Sequence, residues 1–378
     1  MVQTFCYINT SSYVAYTHSK VTRRMASSLP ILSLQELVKV PLSQIPESYK
    51  LVDEQELPVL SNMSFMPTVP IIDMKRLVME ESTDHELEKL HLACKEWGLF
   101  QLVNHGVSST LVVKLKAEIE DFFKLPLEVK TKYQRKQGDF EGYGQTPLFS
   151  EDQKLDWADR LFFVTNPVHK RKPHLLPEFP PSLRDTMESY LVELEKLSIT
   201  LLELLEKALK IKKREMVDMF EDGMQAVRMT YYPPCPQPER TVGFSPHSDS
   251  TGITILLQVN QVEGLQLKKD GIWIPLQPLQ DSFVVNVGDI LEVISNGVYK
   301  SVEHKVTVNS EKERISIATF FNPKFEVEFG PATTILNPQT PPLFKRVTTE
   351  TFLKEAKSRK LDGKSLLEIL KINRNPTK

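Results

Sequence analysis

The sequence predicts an α+β protein whose N-terminal helices pack on the outside of a β-sandwich or barrel of the jelly-roll kind, closed by C-terminal helices. Three observations carry this expectation. Leucine-rich stretches with three- and four-residue spacing dominate up to Ile211. After Gln225 the pattern changes to short apolar runs separated by Gly, Pro, Asn and Asp, as in several strands at close spacing. Helical spacing returns after Lys345.

Taken in order, the stretch from Met1 to Gln35 contains no Asp or Glu yet carries Lys20, Arg23 and Arg24, a composition shared with plastid transit peptides. Met25 opens more ordinary sequence, so a disordered or leader extension over 1–30 is the reading preferred. Between Asp84 and Trp97, Leu87, Leu90, Leu92, Ala93 and Cys94 recur at helical intervals, and Gly98 stops the pattern. Leu99 to Asn104 is short, apolar and partly β-branched, and Thr110 to Phe123 resumes helical spacing, so helix, strand, helix is the expected order. From Gln134 to Lys172, including Gly142-Tyr143-Gly144, no period is evident, and the segment reads as a long functional loop. Ser182 to Ile211 reads as one long helix able to lie against a sheet. Strands are expected over Ala226–Tyr232, Ile253–Val259, Gly264–Pro275, Ser282–Val287, Ile290–Ser295, Ser301–Val308 and Arg314–Phe321, with closing helices over Lys345–Lys357 and Gly363–Lys371. The organisation implied is an N-terminal helical region over 31–220, a jelly-roll core over 221–330 and C-terminal helices over 331–378.

Composition excludes several classes of function. Lys and Arg number 47 against 49 Asp and Glu, a formal charge of −2, and no block of like charge suggests a nucleic-acid or membrane surface. Apolar runs such as Ile253 to Leu257 are far too short to span a bilayer. Cys6, Cys94 and Cys235 lie far apart and form no Cys-x-x-Cys pair, which argues against a disulfide framework or a thiolate zinc site. A monomer in the cytoplasm acting on a small molecule is therefore expected, with a plastid address through the N-terminal extension as the alternative. Asn9-Thr10-Ser11 and Asn62-Met63-Ser64 fit the glycosylation pattern but lack a secretory context.

Three segments carry candidate chemistry. His247-Ser248-Asp249 places an imidazole and a carboxylate two residues apart, which on an extended segment point to one face. Val302, His304, Val306 and Val308 alternate with polar neighbours, so His304 points inward and is the best third ligand. Two histidines and one carboxylate leave the opposite side of a metal open, an arrangement associated with non-haem Fe(II) oxygenases. A core histidine without metal is the ordinary alternative for each His taken singly. On the next run, Arg314, Ser316, Ala318 and Phe320 share a face, and a guanidinium there, if buried, needs a carboxylate partner. The competing reading is a surface arginine paired with Glu313 or Glu326. Arg228, Thr230 and Tyr232 share a face by the same parity, ahead of the rigid turn Pro233-Pro234-Cys235-Pro236.

These pieces resemble the plant 2-oxoglutarate/Fe(II) dioxygenases of specialised metabolism from about Val69 to Ile372. Ala93-Cys94-Lys95-Glu96-Trp97-Gly98, Asn104-His105-Gly106-Val107, Tyr231-Tyr232-Pro233-Pro234-Cys235-Pro236, His247-x-Asp249, Asn286-Val287-Gly288-Asp289, Ser301-Val302-Glu303-His304 and Arg314-x-Ser316 agree with the family in order and spacing. The resemblance implies a double-stranded β-helix fold, iron held by His247, Asp249 and His304, and 2-oxoglutarate held by Arg314, Ser316 and Tyr232. His105 is implied to be structural. Thr230 stands where the family usually has asparagine and lacks the amide donors. Gly138 to Gln145, Glu151 to Trp157, Arg171-Lys172-Pro173-His174 and Lys360 to Ser365 are similar to the group containing morphinan and flavonoid O-demethylases, which also contains hydroxylases.

The function implied consumes O2 and 2-oxoglutarate, releases succinate and CO2, uses ascorbate as reductant, and hydroxylates or O-demethylates a ring-containing metabolite. Phe320, Asn322, Tyr143 and Arg228 are the expected walls of its pocket. The competing readings are a same-fold oxidase that makes no use of 2-oxoglutarate and a non-catalytic jelly-roll binding module.

Overall fold

In the computed structural model, residues 33–51, 67–79, 83–147, 153–358 and 365–372 are described. The N-terminal extension over 1–30 and the Asn9 and Asn62 sites lie outside them. The strands of the two larger sheets, in chain order, are β1 (Ile71–Asp73), β2 (Leu99–Val103), β3 (Gly142–Gly144), β4 (Asp159–Asn166), β5 (Met224–Tyr232), β6 (Phe244–His247), β7 (Ile253–Gln258), β8 (Leu265–Lys269), β9 (Ile272–Pro275), β10 (Phe283–Val287), β11 (His304–Val306) and β12 (Arg314–Asn322). Eight of them form a major sheet in the order β1-β2-β10-β7-β12-β5-β4-β3, and four form a minor sheet, β6-β11-β8-β9.

Both faces of β12 are occupied, so apolar Ile315 and Ile317 alternate along it with Arg314 and Ser316. Ile315 and Ile317 of β12 and Ile253, Ile255 and Leu257 of β7 join one core cluster with the long helix Leu183–Leu209. The buried stripe on that helix includes Leu191, Leu194, Leu201 and Leu205, each contributing roughly 1.5–3 kcal/mol by leaving water. The opposite face of the sheet meets the minor sheet through a second cluster that includes Tyr232, Val284, Phe244, Leu267 and Val306. Chemistry-bearing residues therefore lie between two sheets, sealed from behind by helices. The fold is the mixed α+β fold of jelly-roll type that the sequence predicts.

Local signals explain most element boundaries. The helix Thr83–Leu92 widens into a π-turn over Ala93–Trp97, whose end is closed by the Gly98 amide bonding to the Ala93 carbonyl at 3.0 Å. Gly98 adopts φ +67, and a Cβ there would stand 2.0 Å from the Lys300 carbonyl oxygen, so both the turn and the close approach require glycine. Ser108 caps the helix Ser109–Lys124 by accepting from the Leu111 amide.

Three expectations are corrected. Ile290–Ser295 is not a strand: Asp289–Ile294 is a helix whose residues are all buried. A run buried on every side shows neither period, so sequence pattern cannot separate the two states. Nor is Gln134–Lys172 loop throughout, because it supplies β3 and the eight-residue β4, whose pairing along β5 fixes it in the major sheet. The expected strand Ser301–Val308 is shorter, His304–Val306.

Asp159 ties the chain's described N-terminal segment to this sheet. Its buried carboxylate accepts from Ser33 Oγ at 2.7 Å and from the amides of Leu34 and Gln35, each at 2.9 Å, capping the short helix Leu34–Leu37. Asp159→Ala would strand these buried donors, and a loss of roughly 2–3 kcal/mol is expected. Denaturant unfolding checks it, and an unchanged midpoint would remove Asp159 from this role.

Candidate active site

The minor sheet assembles the first part of the site. In the pairing of β11 with β6, His304 lies opposite His247, which sets the two imidazoles side by side with ring centroids 4.3 Å apart. Just beyond β6 the chain turns Asp249 back toward them, with Oδ1 3.6 Å from His247 Nε2 and 3.7 Å from His304 Nε2. All three side chains are buried, and one ligand atom from each lies within 4.8 Å of the others.

Neighbouring groups set the state of each ligand. His247 Nδ1 is 2.8 Å from the Ser245 carbonyl and His304 Nδ1 3.1 Å from the Val302 carbonyl. A carbonyl only accepts, so each Nδ1 carries a proton and each Nε2 is the ring nitrogen turned inward, the atom able to ligate a cation. Asn286 donates to Asp249 Oδ2 at 3.1 Å, and the Asp289 amide donates to the Asp249 carbonyl at 2.8 Å, so the Asn-Val-Gly-Asp turn orients the carboxylate. Burial, which would raise the Asp249 pKa, is overcome by the two imidazoles and Arg228, and the carboxyl sits well below its ordinary range. Burial, then repulsion from His247, brings His304 down to about 4, leaving it neutral at physiological pH. His247 Nε2 is buried with no hydrogen-bond partner. A buried, unpartnered imidazole Nε2 beside a charged carboxylate and the neutral His304 ring is the donor set a divalent metal satisfies, and it fits Fe(II).

The major sheet faces this cluster across a narrow cleft of about 30 Å³. Arg314 projects into it from β12, 3 % exposed, with its guanidinium 3.1 Å from Gln258 Oε1, 3.4 Å from Ser316 Oγ and 5.2 Å from the Tyr232 ring. Among the described residues it has no carboxylate partner, and its Nε has no hydrogen-bond partner. Glu313 accepts instead from Tyr231 Oη at 2.6 Å, so the surface-pair reading of Arg314 falls. A buried guanidinium opposite a metal-ligand cluster fits a carboxylate of 2-oxoglutarate.

A wider cavity of about 190 Å³ opens from the same centre and shares Arg228, Phe244, His247 and Asp249 with the cleft. Phe320, Asn322 and Arg228 line it as the strand parity implies. Tyr143 does not. Its hydroxyl is turned to Asp159 at 3.3 Å and Gln35 at 3.2 Å, and its ring edge packs on Phe122, because the stretch around it is β3 at the sheet edge and not a loop over the cavity. Thr230 is buried opposite Ser316 on the neighbouring strand. His105 stacks on Phe283 at 4.1 Å and lies outside the site.

Sequence reading assigned no role to Gln258, Phe244, Asn286 or Arg160. Gln258 and Asn286 were legible as polar residues inside apolar runs. Phe244 and Arg160 carried no such signal, since both precede or sit in segments without a period.

Two imidazoles and a carboxylate grouped around one buried point, with a carboxylate-seeking guanidinium across the cleft, define a non-haem Fe(II) oxygenase of the 2-oxoglutarate-using class. Residues 223–323 match the 2OG-Fe(II) oxygenase superfamily, and residues 69–182 match the family described as non-haem dioxygenase in morphine synthesis N-terminal. The chain is 51% identical over 353 residues to codeine O-demethylase of Papaver somniferum, spanning 92% of this chain and 98% of the relative. It is 46% identical over 351 residues to oxoglutarate-dependent flavonoid 7-O-demethylase 1 of Ocimum basilicum, spanning 93% and 94%. The crystal structure of JOX2 in complex with 2OG, Fe and JA superposes with a TM-score of 0.82 at 36% identity, covering 91% of this chain and 99% of that one. The chain belongs to the 2OG-Fe(II) oxygenase superfamily. It is a 2-oxoglutarate/Fe(II) dioxygenase with a His-x-Asp…His iron-binding triad, related to O-demethylases of alkaloids and flavonoids. Among the described residues, no helix is long and apolar enough to cross a membrane.

Proposed function

We propose that the enzyme hydroxylates or oxidatively O-demethylates a small aromatic plant metabolite of alkaloid or flavonoid type. The observation that carries this reading is the aromatic-walled cavity, bounded by Phe162, Phe244 and Phe320, that reaches His247 and Asp249. Kinship with O-demethylases of both substrate types supports it.

In this reading His247, Asp249 and His304 hold Fe(II), Arg314 and Ser316 take the far carboxylate of 2-oxoglutarate beside Tyr232, and Arg228, Phe320 and Asn322 contact the substrate. Bound there with O2 and 2-oxoglutarate, Fe(II) supplies oxidation of a C–H bond, one oxygen atom entering succinate and the other the substrate, with CO2 released. The chain's own work is positional. Asn286 and the two carbonyls at Nδ1 hold the ligands in aim, Gln258 keeps the Arg314 fork in place, and the phenyl walls exclude water and present one edge of the substrate. Hydroxylation at an O-methyl carbon gives a hemiacetal, which collapses to a phenol or alcohol and formaldehyde; at a ring carbon it stops at the alcohol. Ascorbate serves as reductant for the iron.

The test is a panel of methoxylated aromatic metabolites incubated with purified protein, Fe(II), ascorbate and carboxyl-labelled 2-oxoglutarate. Loss of a methylene mass with formaldehyde, or gain of an oxygen mass, coupled to labelled CO2, is expected. Absence of substrate-stimulated CO2 across the panel would defeat the reading. Phe320→Ala is expected to lower substrate oxidation roughly tenfold while uncoupled decarboxylation continues, because a ring stacked on substrate is lost. Equal loss of both would place Phe320 in the general core.

A further inference from the structure

The wider cavity carries more positive charge than the triad and its co-substrate need. Arg160, Arg228 and Lys357 line it, against Asp249 as the one acid among its described lining residues, and Asp249 is already committed to the two imidazoles. Arg160 and Arg228 stand on adjacent strands, where β4 pairs with β5 so that Arg160 opposes Thr230 and Phe162 opposes Arg228. The two arginines are therefore diagonal neighbours on one face, about 7–8 Å apart at the backbone, a spacing that long side chains bridge. Both guanidiniums stand near the Phe244 ring, the central carbon of Arg228 at 4.3 Å and that of Arg160 at 6.0 Å from its centroid. Arg228 also lies 5.1 Å from the Phe320 centroid.

Asp249 and Asp156 act on this pair only from beyond ion-pair distance. Among the described residues neither arginine forms an ion pair with a carboxylate, and Arg228 Nε is buried with no hydrogen-bond partner. Asp156, the acid whose charge acts on Arg160, is engaged by Thr146 Oγ1 at 2.7 Å and by the amide and hydroxyl of Ser245 at 2.9 and 2.6 Å. Burial first, then the like charges of Arg228 and Arg135, bring the Arg160 guanidinium down to about 9. Lys357 is also pulled down by burial, and the nearby acids Asp139 and Glu141 both pair with Lys172. Crowding like charges in a desolvated wall is costly unless an anion joins them. Two guanidiniums beside aromatic rings make a site for a planar anion attached to a ring, since the fork holds a carboxylate bidentately.

We infer that the substrate carries a carboxylate, held between Arg160 and Arg228 while its ring lies against Phe244 and Phe320. The inference rests on the oxidation chemistry proposed above and goes beyond its substrate type, putting ring-bearing acids in place of the alkaloid or flavonoid type. Amine-bearing alkaloids are disfavoured, because their cationic nitrogen would meet three positive side chains.

Equilibrium binding to the full chain without added iron, with 4-methoxycinnamate and its methyl ester as probes of the same ring and different charge, tests it. The acid is expected to bind at least about tenfold more tightly than the ester, as charge-assisted hydrogen bonds imply, and to lose that preference in high salt. Arg160→Met should weaken the acid about tenfold and leave the ester unaffected, whereas Arg314→Met, which empties the inner cleft of its guanidinium, should leave the preference in place. Equal affinity for acid and ester in the unaltered chain, or no binding of the acid, overturns the inference, and that comparison needs no variant to fold. Acid binding lost in Arg314→Met and retained in Arg160→Met overturns it as well, since the carboxylate would then sit in the inner cleft. Labelled CO2 release from 2-oxoglutarate, measured on the same protein after addition of Fe(II) and ascorbate, separates the two readings. Turnover without acid preference removes the acid site and keeps the oxygenase reading, and an Arg160-dependent acid preference without turnover does the reverse.

Discussion

Asp249→Ala is expected to abolish iron binding and to drop 2-oxoglutarate turnover by more than a hundredfold. Groups that merely orient a metal ligand are worth about 10–100-fold when removed, and Asp249 is itself the charged ligand of the proposed set. The carboxylate faces both Nε2 atoms at 3.6 and 3.7 Å, so its loss takes away the one carboxylate of the cluster among the described residues. His247→Ala and His304→Ala should act in the same direction. The fold should survive, because Asp249 contributes to neither sheet's apolar core and its loop stays anchored through the Asp289 amide. Iron titration followed by circular dichroism checks both halves: native spectrum with no bound iron is the expected pair, and full turnover would take Asp249 out of the ligand set.

Arg314→Met is expected to weaken 2-oxoglutarate about a hundredfold or more, since truncating one member of a buried hydrogen-bonded charge pair costs roughly 2–5 kcal/mol. Methionine keeps most of the apolar stem, so packing against Gly264, where a Cβ would stand 2.9 Å from Arg314 Cδ, is little disturbed. Arg314→Lys should fall between the two, keeping a charge and losing the fork. Apparent affinity for 2-oxoglutarate, measured from succinate formation, reads the series. Equal affinity in all three proteins would remove Arg314 from the anchor role. The anchor and the ligands belong to different sheets, so this pair of experiments probes the two walls of the cleft independently.

Which side chains share a strand face, and which local motifs exist, is readable from residue order alone. Alternation is a covalent property of extended chain, so Arg314, Ser316 and Phe320 could be set together, as could Arg228 and Tyr232, without knowing any neighbour. The leucine stripe of Leu183–Leu209 was equally readable, because one side of that helix faces a core and the other faces water. Family motifs added the roles that parity cannot supply. Which faces meet depends on how the two sheets pack. The opposition of His304 to His247 is a register between two strands distant in sequence, and the deep burial of Arg314 depends on a second sheet covering its strand. Tyr143 was misdirected and Arg160 overlooked for one reason: the segment around them is buried on several sides, so no solvent-facing residues mark its period, and β4 acquires its direction only by pairing with β5. The same absence of an exposed face hid the helix Asp289–Ile294, whose first amide holds Asp249 in place. Contacts of this kind are set by packing between elements, and a linear pattern carries no record of them where water touches neither side.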